Sequence, residues 1–126
     1  NAMSYVDGFL VPVPKKNLKA YQAMSKKAGR IWQEYGALAY YECAGDDMNP
    51  AFGLPFPKLM KLKKGEVPVF SFIIYKSKAQ RDKVNAKIMK DPRMDAMCPD
   101  PKKMPFDVKR MGFGGFKTIV QYQDLG

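Results

Sequence analysis

The sequence predicts an α+β fold, a four-stranded antiparallel sheet carrying two helices on one face. Three observations predict it. The hydrophobic pattern switches between the two-residue period of a strand and the longer period of a helix in the order strand, helix, strand, strand, helix, strand. The runs YVDGFLVPV at 5–13 and VPVFSFIIY at 67–75 are apolar on both parities, so each is expected to be covered on two sides. No repeat and no linker divides the 126 residues, so a single α+β domain with one core is expected over 3–126. The order matches the ferredoxin-like βαββαβ arrangement.

The first strand is expected at Tyr5–Val13 and to be closed by Pro12 and Pro14. One parity groups Tyr5, Asp7, Phe9 and Val11, the other Val6, Gly8 and Leu10. The clearest helix spans about 15–35, where Leu18, Tyr21, Met24, Ala28, Ile31, Trp32 and Tyr35 recur at steps of three and four. Gly36 is its natural stop. Gly29 inside it costs up to about 1 kcal/mol against alanine and is read as a point of close packing on the sheet.

A second strand is expected at about 37–44, with Leu38, Tyr40, Glu42 and Ala44 on one face and Ala39, Tyr41 and Cys43 on the other. The stretch 45–57, rich in proline, Asp and Asn, reads as loop, followed by a helical turn near Phe56, Leu59, Met60 and Leu62. Residues 67–75 form the strongest strand. Ser77 with Gln80 three residues later is a capping-box pattern. The helix it opens is expected to run to about Lys90 and to bury Val84, Ile88 and Met89. Residues 91–107 carry four prolines and read as loop with at most a helical turn at 93–97; a last strand is expected over 110–122. Asn1 and Ala2, ahead of Met3, are read as an expression-vector remnant.

With both faces of the central strands apolar and no further element to cover the second face, a second copy is the economical cover. A homodimer with sheets face to face is expected.

Composition narrows the chemistry. The chain contains no histidine, which removes Ser-His-Asp and Cys-His triads and any His-ligated metal or haem. No cofactor and no metal site is expected. No apolar run is long enough to span a bilayer and no signal core follows the N-terminus, so a cytoplasmic protein with two reduced thiols, Cys43 and Cys98, is expected. The net charge of +10 suits an anionic partner, but lysine supplies most of it. Arginine, the residue suited to bidentate phosphate contacts and base stacking, occurs only at 30, 81, 93 and 110. The basic cluster Lys58, Lys61, Lys63 and Lys64 has one close aromatic, Phe56, and no stacking platform. Nucleic acid is therefore the alternative partner rather than the favoured one.

Taken together, YVDGFLVPVPKKNLKAY at 5–21, YYECAGDD at 40–47, VNAKIMKDPRM at 84–94 and KKMPFDVKRMGFGGF at 102–116 resemble the YbaA-like family of bacterial proteins of unknown function. The resemblance covers 3 to about 120 and implies membership of the dimeric α+β barrel superfamily, in which two ferredoxin-like protomers pair their sheets into one barrel. Relatives there include cofactor-free monooxygenases, haem-degrading enzymes, lactone isomerases and ligand-binding modules. It implies fold and not function.

Two carboxylates interrupt apolar strands, Asp7 and Glu42. A partly buried carboxyl is how an acid or base is tuned towards neutral pH, and both are candidate catalytic groups. The competing reading is a structural carboxylate held by a backbone amide or a lysine. Trp32, Tyr35, Tyr40 and Tyr41 are candidate ligand-binding aromatics, against the plainer reading as core, and Cys43 is grouped with them although no cation or helix N-terminus adjoins it. Asp46 and Asp47 lack further ligands, and RMGFGGF lacks the helix and GK[ST] of a phosphate loop. The expectation is a dimer that binds a small organic molecule between helices and sheet, with cofactor-independent acid/base or oxygenase-like chemistry open to it.

Overall fold

The computed structural model describes residues 3–123; Asn1 and Ala2 lie outside it, as does the end of the expected domain at 124–126. Strand β1 is Tyr5–Pro14, helix α1 Leu18–Glu34, β2 Ala39–Ala44, α2 Phe56–Leu59, β3 Glu66–Tyr75, α3 Lys78–Lys90, α4 Pro92–Met97 and β4 Gly112–Lys117. The sheet order is β2-β3-β1-β4 and every pair is antiparallel. The expected α+β, ferredoxin-like protomer is what the chain forms.

β1 and β3 pair along their full length, from Tyr5 opposite Tyr75 to Pro14 opposite Glu66. Pro12, which was expected to end β1, instead sits directly opposite Pro68. Both lie beyond the last pairs of β4 and β2, where the missing N–H breaks no ladder.

Alternation along β3 sets the layers. Val69, Ser71, Ile73 and Tyr75 are buried under the helices, while Phe70 and its parity point the other way. Two clusters fill the helix side. Ile31, Ala37, Ile73, Tyr75, Val84 and Ile88 form one, and Val11, Val13, Tyr21 and Val69 the other.

Among the described residues, no element covers the opposite face. It presents Tyr41 (51% exposed), Phe70 (50%) and Phe116 (61%), together with half-buried Val6, Leu10, Phe72 and Ile74. The expectation that β1 and β3 are buried on two sides therefore fails within the protomer, where only one face is sealed.

The Ser77 cap forms as read: its Oγ accepts from the Gln80 amide at 3.1 Å, while the Gln80 side chain donates to the Gly36 carbonyl at 2.8 Å and ties the start of α3 to the end of α1. Val84 and Ile88 are buried, but Met89 is 84% exposed, because it falls on the solvent side of α3 one step past Ile88. The last strand is shorter than expected. It ends at Lys117, opposite the first residue of β1, Tyr5, and one more backbone bond follows, from the Thr118 amide to the Ser4 carbonyl at 3.2 Å. No helix among the described residues is long and apolar enough to cross a membrane.

Candidate functional site

Glu42 lies on the edge strand β2, opposite Ser71 of β3 and on the parity that faces α1. Tyr40, two residues earlier on the same face, donates its hydroxyl to Glu42 Oε2 at 2.8 Å. Tyr21, in the apolar stripe of α1, donates to Glu42 Oε1 at 2.7 Å. Each carboxylate oxygen thus receives one phenol, one from the helix and one from the strand.

Local packing dictates this geometry. The Tyr21 ring is buried, edge-on to Phe106 with centroids 5.6 Å apart, and a buried hydroxyl requires an acceptor. The Tyr40 ring lies directly against the helix backbone at Gly29, where a Cβ would sit 2.7 Å from Tyr40 Cδ1. The close packing expected of Gly29 is therefore real, and the ring it admits belongs to the site.

Two cavities meet at this carboxylate. An outer cleft of about 610 Å³ runs between α1 and the β2 edge, with Gln22, Lys26 and Gln33 at its rim. An inner chamber of about 220 Å³ lies between α1, the sheet and the segment after α3, walled by groups such as Phe9, Met24, Trp32, Phe106 and Met111. Tyr21, Ser25, Tyr40 and Glu42 line both, so the carboxylate and its phenols form the neck between a cleft of mixed polarity and a more apolar chamber. Burial, with the neighbouring carboxylate adding to it, pushes the hydroxyls of Tyr21 and Tyr40 far above the usual phenol range.

Glu42 differs from the other sheltered carboxylates in lacking a cation. Arg81 pairs with Asp7, Arg93 with Asp91 and Arg110 with Glu66. Among the described residues, no lysine or arginine is within ion-pair distance of Glu42.

The remaining expected site residues are dispersed. Asp7, 1% exposed on β1, accepts from Arg81 Nη1 at 3.0 Å and lines neither cavity. Burial raises its carboxyl above the usual range, and the guanidinium opposes that rise. Arg81 also sits 4.9 Å over the Tyr5 ring, while its buried Nε lies 2.9 Å from Asp82 without the alignment of a hydrogen bond. Trp32 reaches the inner chamber and donates its indole N–H to the Tyr75 hydroxyl at 3.0 Å. Tyr35 instead donates to Asp91 at 2.6 Å, at the junction of α3 and α4. Tyr41 stacks on Phe72 at 4.9 Å on the uncovered face, and Cys43 is exposed on that same face. Of the seven expected residues, the neck and chamber bring together Glu42, Tyr40 and Trp32.

Residues 4–108 match the family model described as a protein of unknown function, DUF1428. The chain belongs to the DUF1428 family. It is 43% identical over 118 residues to the uncharacterized protein YbaA of Escherichia coli K12, covering 94% of this chain and 98% of that one, and equally to YbaA of Shigella flexneri. Among solved structures it is similar to a dimeric ferredoxin-like protein from an uncultured marine organism, with a TM-score of 0.55 over 97% of this chain and 99% of that chain. At 11% identity that likeness shows the fold alone. The resemblance to the YbaA-like family and the ferredoxin-like fold read from the residues both stand.

Sequence reading missed Tyr21 and Ser25 as site residues. Tyr21 sits in the helix stripe at a core position, and only its hydroxyl sets it apart from a phenylalanine there. The available signal was a phenol in an apolar stripe facing a strand with an embedded carboxylate.

Proposed function

We propose that this DUF1428 protein is a homodimer that binds a small organic molecule between α1 and the sheet, with Glu42 as the polar centre of the site. The observation that carries this reading is the Tyr21–Glu42–Tyr40 arrangement, a carboxylate bridged by two phenols at the junction of an apolar chamber and an open cleft. Such a shape, mostly apolar with a few convergent polar groups, is the usual form of a small-molecule site. If the protein is an enzyme, Glu42 is the group placed to accept or return a proton, since its oxygens face the space a ligand would fill. Asp7, committed to Arg81 outside both cavities, serves the fold in this reading.

The dimer rests on the uncovered sheet face. Tyr41, Phe70, Phe72 and Phe116 lie on one face of the sheet, and exposed apolar patches of this kind mark interaction surfaces. The marine protein it resembles is described as dimeric. The arginine pairings weigh against the nucleic-acid alternative. Arg81, Arg93 and Arg110 are held by carboxylates, so the bidentate phosphate and base contacts arginine supplies fall mainly to Arg30.

The test uses Trp32, the single tryptophan, as a reporter at the chamber wall. A screen of small organic molecules read by its fluorescence should yield ligands whose binding Glu42→Gln weakens. Ligands that leave Trp32 unchanged and bind Glu42→Gln equally well would place the function elsewhere.

A further inference from the structure

We propose that the neck selects an organic monocation, a protonated amine on a compact apolar or aromatic body; this rests on the small-molecule reading above and specifies its ligand.

The first observation is a count of donors and acceptors. A phenol has one O–H, and those of Tyr21 and Tyr40 are both spent on Glu42. Apart from the Ser25 hydroxyl, which can donate or accept, what the neck offers an incoming group is then lone pairs: those remaining on the carboxylate and those on the two phenol oxygens. An ammonium, with three donors and no acceptor, matches such a surface, whereas a carboxylate would meet it acceptor to acceptor.

The second observation is charge. Asp7, Asp91 and Glu66 each hold an arginine, and Glu42 holds none among the described residues. A sheltered carboxylate without a counter-charge is completed by a cation, which gains a charge-assisted hydrogen bond stronger than a neutral one. Lys26 at the rim of the outer cleft makes no ion pair with it.

The third observation is the wall. Trp32 and Tyr40, with ring centroids 6.1 Å apart, both line the inner chamber, and aromatic faces attract cations. An apolar cavity of about 150 Å³ accommodates benzene, so the chamber's about 220 Å³ has room for a single ring with a short chain.

The experiment compares three probes that share a phenylethyl body, 2-phenylethylamine, 2-phenylethanol and 3-phenylpropionate, by calorimetric titration with Trp32 fluorescence as the position report. The amine is expected to bind at least tenfold more tightly than the alcohol and the acid. Glu42→Gln, checked for an unchanged circular dichroism spectrum, should erase that preference. The ranking on the unaltered protein needs no variant, so a misfolded Glu42→Gln leaves the test intact. If the alcohol or the acid binds as well as the amine and perturbs Trp32, the cavity reading survives and the amine proposal is overturned. If none of the three binds at millimolar concentration, both are overturned.

Discussion

Tyr21 and Glu42 are joined by a 2.7 Å hydrogen bond that links the main helix to the edge strand of the sheet. It fastens α1 above the cavity while occupying one oxygen of the carboxylate at the neck. A hydrogen bond to a charged group contributes about 1.5–3 kcal/mol, reduced where solvent reaches it. Tyr21→Phe is therefore expected to lower stability by about 1–2 kcal/mol in urea unfolding. A change below the error of the measurement would show the bond to be incidental.

The phenols also predict an alkaline signature. Burial first, with neighbouring charge adding to it, raises the hydroxyls of Tyr21, Tyr40 and Tyr75 well above 10. A phenol raised in the folded state contributes stability that is complete below its unfolded value near 10 and is lost as pH rises beyond it. Absorbance at 295 nm should show phenolate appearing in separate steps, the last coinciding with loss of circular dichroism. All seven tyrosines ionising together in folded protein would contradict this.

Glu66 predicts the acid limb. Two hydrogen bonds from Arg110, at 2.7 and 2.8 Å, hold its carboxyl at about 2 against an ordinary 4.5. A depressed carboxyl contributes stability that is present above the unfolded value and is lost as pH falls from about 4.5 towards about 2. Melting temperature should drop across that window, and Glu66→Gln should flatten the drop. Parallel curves for the two proteins would refute it.

The buried pair Asp7–Arg81 predicts strong coupling. Removing one partner leaves a buried charge, which costs about 3–5 kcal/mol, whereas apolar replacement of both is often close to neutral. Asp7→Asn is expected to be severely destabilised, and Asp7→Leu combined with Arg81→Met less so than either change alone. Additive losses in the double-mutant cycle would mean that the two charges act independently.

Gly29→Ala sets two effects against each other. Alanine gains about 1 kcal/mol of helix propensity. Its Cβ would stand 2.7 Å from Tyr40, and overpacking of that kind costs about 1–3 kcal/mol. The expected outcome is a net loss of about 1 kcal/mol together with weaker ligand binding, since Tyr40 must move off Glu42. A stabilised variant would show that the ring yields freely.

Most of the fold was legible because local chemistry and global packing agree: the α1 stripe, the β-branched run of β3 and the Ser77 cap each specify their own element. The site was legible only in part. Glu42 announced itself as a charge on an apolar parity, but so did Asp7, and periodicity cannot say which of them finds a cation. Arg81 lies 74 positions from Asp7 in the chain, and only the packing of α3 over β1 brings them together. Tyr41 and Cys43 fell on the wrong side because neighbours in a strand point to opposite faces, so both go with the uncovered face when Tyr40 and Glu42 go to the cavity. Tyr35, one turn beyond the cavity, turns to Asp91 instead.

The most direct test of a Glu42-centred ligand site is native mass spectrometry of the protein as purified, followed by denaturation to weigh what is released, for the unaltered chain and for Glu42→Gln. A species at twice 14.3 kDa is expected, carrying a reproducible small-molecule mass that the variant retains poorly or not at all. The same mass retained equally by the variant, or a monomer with no released mass from either protein, would contradict it.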